Sequence, residues 1–244
     1  MPDGSSQTST MPDLTVFEKL EKELGVSFRN RDLLVQAFTH RSYLNENPGF
    51  SLSHNERLEF LGDAILELVV TESLYRAFPN PEGDLTNIRA SLVNAKSLAE
   101  VALRLGFDEY LLLSRGEAKD ANSKARHSIL ANTVESLIGA LYLDLGLPEA
   151  KRFIDDHIIS KVADIVSNQK FRDPKSVFQE FAQKYDGVTP AYKVLAEWGP
   201  DHDKHFRVGV YLGNDEVAIG EGQSKQEGQV AAALEGLKAK GWVG

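Results

Sequence analysis

From Leu14 to about Ile165 the apolar residues recur at helical spacing, and only beyond Asp173 do they alternate as strands require. Val16, Leu20 and Leu24 share one helical face, as do Leu61, Ile65, Leu68 and Val69, and then Leu98, Val101, Ala102 and Leu105. Gly25, Gly106 and Gly146 follow helical runs, where a helix C-terminus favours a residue of positive φ. An all-α domain is expected over residues 13–166. Ser167 to Arg172 is polar and reads as a linker. Asp173-Pro174 then offers a helix cap with proline at the first helical position, and Val177, Phe178 and Phe181 suit one face of that helix. Tyr192, Val194 and Ala196 alternate, as do Phe206, Val208, Val210 and Leu212, while Val217 with Ile219 makes a short third strand. Ser224 and Glu227 form a capping-box pair ahead of Val230, Ala231, Leu234 and Leu237. Residues 173–244 should therefore form a small α+β domain of order α-β-β-β-α.

Composition closes several chemistries. With no Cys among 244 residues, disulfides, thiolate metal sites and cysteine nucleophiles are excluded. The first 12 residues are polar, lack the apolar run of a signal peptide and read as a disordered tail. No unbroken apolar stretch approaches the ~20 residues of a membrane helix. A soluble, cytoplasmic protein without a membrane partner is expected. A formal charge of −9 argues against a nucleic-acid partner, so any such binding must come from local basic patches or from cations that neutralise acidic ones.

The most informative stretch runs from His54 to Leu66. At ~100° per residue, Glu56 and Asp63 fall within roughly 20° of one another, with Glu59 about one-sixth of a turn away. Three carboxylates thus share a stripe beside an apolar one, where repulsion raises their pKa values unless a cation compensates. A solvated acidic face is the plain alternative. Against it stands a second run, Ile129 to Ala140, in which Asn132 and Glu135 interrupt apolar sequence at a cost that partners must offset. Glu59, Asp63, Asn132 and Glu135 brought together would form an all-oxygen site suited to Mg²⁺ or Mn²⁺ rather than zinc.

The run Asn55 to Asp63 resembles the signature of the ribonuclease III family. Thr39-His40-Arg41-Ser42-Tyr43, Glu82-Gly83 before a helix, and the block Ile129 to Gly139 extend the resemblance over nearly all of the first domain. It implies a homodimeric, Mg²⁺-dependent endonuclease for double-stranded RNA, with Mn²⁺ able to substitute. By the same resemblance Glu59, Asn132 and Glu135 would hold the metal, Asp63 and Glu135 would be the catalytic residues, and Glu56 and Glu82 would be auxiliary acids. The products would carry 5′-phosphate and 3′-hydroxyl ends, and the substrates would be structured precursors of ribosomal and messenger RNA. Asn132 stands where Asp is common, which removes one negative charge and predicts weaker metal affinity. Phe60 has two readings, packing in the core or insertion into a partner subunit. Gly62 is read as permitting close helix approach. His40, His54 and Arg41 are read as structural hydrogen-bonding and ion-pairing groups.

The second segment resembles a double-stranded RNA-binding domain, which reads A-form shape across about 16 base pairs. Gln179, Glu180, His202, Lys204 and Lys225 are its candidate RNA-binding residues. The basic cluster common at its last helix is thinned here, since Gln226 follows Lys225 and Gly228 replaces the usual Ala. From Arg172 onward 11 acids face 9 Lys and Arg, so weak binding by this domain alone is expected. Two other functions stay open: a duplex binder that does not cut, and a protein-interaction scaffold. Glu59, Asp63 and Glu135 speak against the first, because a pure binder gains nothing from buried acids that repel phosphate, and the RNA-binding pattern after Asp173 speaks against the second.

Overall fold

A computed structural model describes residues 15–119, 123–167, 173–200 and 203–242. The expected tail lies outside the described residues. The chain divides into two compact units, one ending at Asn168 and the other beginning at Gln169. Among the described residues no helix is long and apolar enough to cross a membrane.

The described part of the first unit is helical: α1 (Val16–Leu24), α2 (Arg31–Ala37), α3 (Arg41–Glu46), α4 (Glu56–Ala77), α5 (Glu82–Val93), α6 (Ala95–Arg104), α7 (Arg115–Lys119), α8 (Lys124–Leu145), α9 (Leu147–His157) and α10 (Val162–Ser167), with short 3₁₀ turns at Phe107–Tyr110 and Ile159–Lys161. α8 is the axis. It packs along α4 and α6 and also touches α2 and α9, and its buried residues run from Arg126 to Leu141 around most of its circumference, as expected of a helix enclosed by others. Asp144 near its end accepts the Arg29 and Asn30 amides at 2.6 and 3.0 Å, tying α8 to the start of α2. Phe17, Phe38, Phe107 and Tyr110 pack mainly edge-on at one end of the core. A single parallel bridge, Thr39 to Leu112, is the only strand-like pairing described in this unit.

Two stripes differ from expectation. On α1 Val16 is exposed and Phe17 takes the core position beside Leu20 and Leu24. On α4 Leu61 is only half-buried and Leu68 is 60% exposed, because the face against α8 is centred on Gly62 and comprises Leu58, Ile65, Leu66, Val69 and Val70. Gly25, Gly106 and Gly146 do take positive φ.

The second unit holds α11 (Pro174–Tyr185), β1 (Ala191–Trp198), β2 (His205–Leu212), β3 (Asp215–Gly222) and α12 (Lys225–Ala239). The strands form an antiparallel sheet in the order β1-β2-β3. Phe178, Ala182, Val210, Leu212, Ala232, Ala233 and Leu237 make its core. Asp173 caps α11, accepting the Ser176 amide at 3.1 Å with Pro174 at the first turn. Ser224 caps α12 through the Glu227 amide at 3.1 Å. The Glu227 carboxylate reaches back to the Gln223 amide at 2.8 Å, one residue earlier than a standard capping box would place it.

Here too the faces shift. Ile219 is exposed because the register slips between Val210 and Tyr211, so Val217 and Ala218 both turn toward the core. A second irregularity lies between Val194 and Ala196 of β1, and both residues are exposed. On α12 Leu234 points outward. The residues against the sheet are Gly228, Ala232, Ala233, Gly236 and Leu237, small ones that let the helix lie close to the strands.

Candidate active site

The site is built where α4 crosses α8. Asn55, immediately before α4, is buried; its backbone amide donates to the Thr39 carbonyl at 2.9 Å and its side-chain amide to the Ala37 carbonyl at 3.3 Å. Its own carbonyl accepts from Ser136 Oγ on α8 at 3.4 Å. Two turns further on, Gly62 lies so close to α8 that a Cβ there would overlap the Glu135 carbonyl oxygen, and a Cβ on Gly139 would overlap the Leu58 carbonyl oxygen. Backbone thus meets backbone at both glycines. The crossing brings Glu59 and Asp63 of α4 against Asn132 and Glu135 of α8, joining the two acidic runs of the sequence.

Electrostatics record this convergence. The Glu135 carboxyl is pushed up to about 7, first by burial and then by the Asp63 and Glu59 charges. Glu59 is also raised, by burial and by Glu56 and Asp63, while a hydrogen bond from Asn132 opposes the shift. Asp63 and Glu56 are exposed. Glu56 faces Arg41 at 3.6 Å and His54 at 3.8 Å. His40 caps α3, its Nδ1 accepting the Ser42 amide at 3.3 Å, and burial lowers its pKa. A cavity of about 400 Å³ opens beside the acids, lined among others by His40, Arg41, Glu56, Glu59, Ser128 and Asn132.

Among the described residues no three His, Asp or Glu side chains already stand as a complete cation cage. The donor set nonetheless fits a hard divalent ion. Its ligands are oxygens, its carboxylates repel one another until a cation arrives, and Mg²⁺ commonly binds through one or two carboxylates while keeping several waters. Glu59, Asn132 and Glu135 are the residues that would hold such an ion.

Two candidates lie elsewhere. Glu82 is exposed, accepts from Thr86 Oγ at 3.1 Å, and lines a separate cavity of about 460 Å³ with Thr71 and Tyr75. Tyr75 is 16 residues beyond Glu59 on α4, about 24 Å at the helical rise. Within one protomer Glu82 is therefore remote from the other acids. Phe60 is 81% exposed and takes no part in the core of this unit; Leu68 and Tyr75 are exposed on the same side of α4.

The ribonuclease-III-like family model matches residues 30–162, and the double-stranded RNA binding motif matches residues 174–239. The chain is 42% identical to ribonuclease 3 of Enterococcus faecalis over 91% of its own length and 96% of that protein. It is 44% identical to ribonuclease 3 of Carboxydothermus hydrogenoformans, over 90% and 93%. The chain belongs to the ribonuclease III family. A solved nuclease domain of ribonuclease III from Campylobacter jejuni matches 58% of this chain and 97% of that one, at 41% identity and a TM-score of 0.51. As a ribonuclease III the chain is an endoribonuclease specific for double-stranded RNA, and the family's reaction is metal-dependent.

In this ribonuclease III the duplex-binding unit shows its expected residues only in part. Gln179 and Glu180 are exposed on α11. Lys225 opens α12 with its ammonium 5.8 Å from the Phe206 ring centroid; Lys204 lies 5.9 Å from the same ring and 3.5 Å from Glu197. His202 lies outside the described residues. Sequence reasoning passed over Lys175, which the structure holds between α11 and α12, although its place directly after the Asp173-Pro174 helix start was a usable signal. It also passed over Glu117 and Ser128 at the cavity beside the acids, which no periodicity marks.

Proposed function

We propose that this ribonuclease III hydrolyses each strand of duplex RNA with Mg²⁺, Mn²⁺ substituting, and leaves 5′-phosphate and 3′-hydroxyl ends. The observation that carries the reading is the crossing at Gly62 and Gly139, which sets Glu59 and Asp63 against Asn132 and Glu135 and drives the Glu135 carboxyl up to about 7. When bound, the divalent ion makes water acidic enough to attack phosphorus near neutral pH and stabilises charge on the leaving oxygen. Glu59, Asn132 and Glu135 would hold the ion, and Asp63 and Glu135 are the groups most directly needed for cleavage. The P–O3′ bond breaks and the 3′ oxygen is protonated. Glu56, held by Arg41 and His54, and Glu82 are auxiliary acids along the RNA path.

The active form is a homodimer. Phe60, Leu68 and Tyr75 form an exposed apolar stripe on α4, and large exposed apolar patches mark interaction surfaces. The Campylobacter jejuni nuclease domain is described as having a region involved in dimer formation. The catalytic domain spans 13–166, the linker 167–172 and the RNA-binding domain 173–244, where Gln179, Glu180, His202, Lys204 and Lys225 meet the duplex. Structured precursors of ribosomal and messenger RNA in the cytoplasm are the substrates.

The test is cleavage of a labelled, perfectly paired RNA with Mg²⁺ or EDTA by the natural protein and by Glu135→Ala. Metal-dependent 5′-phosphate products, lost in the variant, are expected. A natural protein that shifts the duplex in a gel but never cuts it, even with Mn²⁺, would show a binder instead.

A further inference from the structure

Four cations of the second unit are committed to acids: Lys204 to Glu197, Arg207 to Glu221, Lys238 to Glu235 and Lys240 to Asp186. Lys175 is not. Its ammonium donates to Gln229 Oε1 at 2.6 Å and lies 5.2 Å from the Tyr192 ring centroid. Both groups are neutral, and among the described residues no carboxylate pairs with it. The acidic residues at the two helix starts are turned to the backbone, Asp173 to the Ser176 amide and Glu227 to the Gln223 amide. Holding a flexible lysine in one place costs side-chain entropy, yet here it neutralises nothing. An ammonium has three donors, and only one of these is used within the described protein.

The position of that charge matters. Gln229 lies four residues after Lys225, hence one turn along the same face of α12. Lys175 reaches across from α11 to the side chain of Gln229, so its ammonium occupies the place that a lysine at 229 would fill. Two charges then stand near the start of α12, Lys225 beside the Phe206 ring and Lys175 at Gln229.

We propose that Lys175 is a phosphate-contacting residue for duplex RNA, supplying from α11 the positive charge that α12 lacks at Gln229. The inference rests on the duplex-RNA reading above. Gln229 and the Tyr192 ring act as positioning groups that hold the ammonium without neutralising it.

The test uses the full chain in EDTA, so that RNA is bound and not cut, with a duplex somewhat longer than the ~16 base pairs such a domain spans. Affinity is followed by fluorescence anisotropy across a series of KCl concentrations, with thermal unfolding as a check on each variant. Lys175→Gln should lower the slope of log affinity against log salt by about one, the signature of one lost phosphate contact, which a merely structural role would not produce. Gln226→Lys should raise the slope by about one. Gln229→Lys should leave it unchanged, because the new ammonium displaces Lys175 from the same place. A natural slope in folded Lys175→Gln, or a full unit gained by Gln229→Lys, overturns the proposal. If Lys175→Gln does not fold, the Gln229→Lys arm decides alone. Failure of the natural protein to bind at low salt would remove the duplex-RNA reading instead.

Discussion

The nuclease unit gathers like charges and half-buries them on two helices locked together through backbone contacts, whereas the RNA-binding unit spreads few cations over its surface and pairs four of them with its own acids. The difference follows from what each unit must do. A metal site needs oxygen ligands held in fixed geometry before the ion arrives, and the repulsion this creates is a standing cost to the metal-free fold. A shape-reading surface needs only a few charges at the right spacing. Stress is therefore expected to concentrate in the first unit.

The largest test of that contrast is Gly62→Ala. The added methyl would meet the Glu135 carbonyl, which cannot rotate away, so α4 and α8 must separate. A loss of about 3 kcal/mol or more and abolished cleavage are expected, measured by denaturant unfolding and by duplex cleavage. Retained activity would mean that the acids do not depend on the crossing.

Next comes Glu135→Gln. The folded carboxyl titrates near 7 against an ordinary value of 4.5, so its protonated form supports the fold below about 4.5 and that support disappears as pH rises through 7. In EDTA the substitution should raise the thermal midpoint at pH 8, equivalent to about 1–2 kcal/mol once solvent screening is allowed for, and leave it unchanged at pH 4. An equal gain at both pH values would point to packing rather than charge.

Asn132→Asp adds a fourth carboxylate to the site and removes the amide that hydrogen-bonds Glu59. Mg²⁺ affinity by calorimetry should rise roughly tenfold, with lower stability in EDTA. Equal or tighter binding by the natural protein would sink the idea. The smallest effect is expected in the second unit, for Gly228→Ala. There the new methyl meets the buried Val208 Cγ2 at 2.7 Å, a side chain rather than backbone, so a small shift is required while the helix gains propensity. The two contributions should nearly cancel, within about 1 kcal/mol, by thermal unfolding; a collapse comparable to that of Gly62→Ala would erase the contrast between the units.

The order of elements, both helix caps of the second unit and the residue types of the candidate site were legible along the chain, because periodicity, capping and hydrogen-bonding chemistry are local properties. Which of two adjacent apolar residues faces the core was less so. Val16 yielded to Phe17, and Leu61 and Leu68 yielded to a stripe centred on Gly62, since the packed face depends on where the neighbouring helix lies. Ile219 turned outward because one slipped register inverts every later side chain in a strand, and the slip is set by pairing with β2.

By itself the sequence determined that this chain has a helical unit followed by a small α+β one, and that Glu59, Asp63, Asn132 and Glu135 are the oxygen donors available to a hard cation. Only the tertiary structure decided that these donors meet, that Glu82 lines a separate cavity with Thr71 and Tyr75, and that Lys175 of α11 reaches Gln229 of α12. The reason is physical. Helix periodicity orders residues on one element, but convergence of charges from two elements depends on how closely their backbones pass, and here two glycines more than 70 positions apart in the chain make that passage possible.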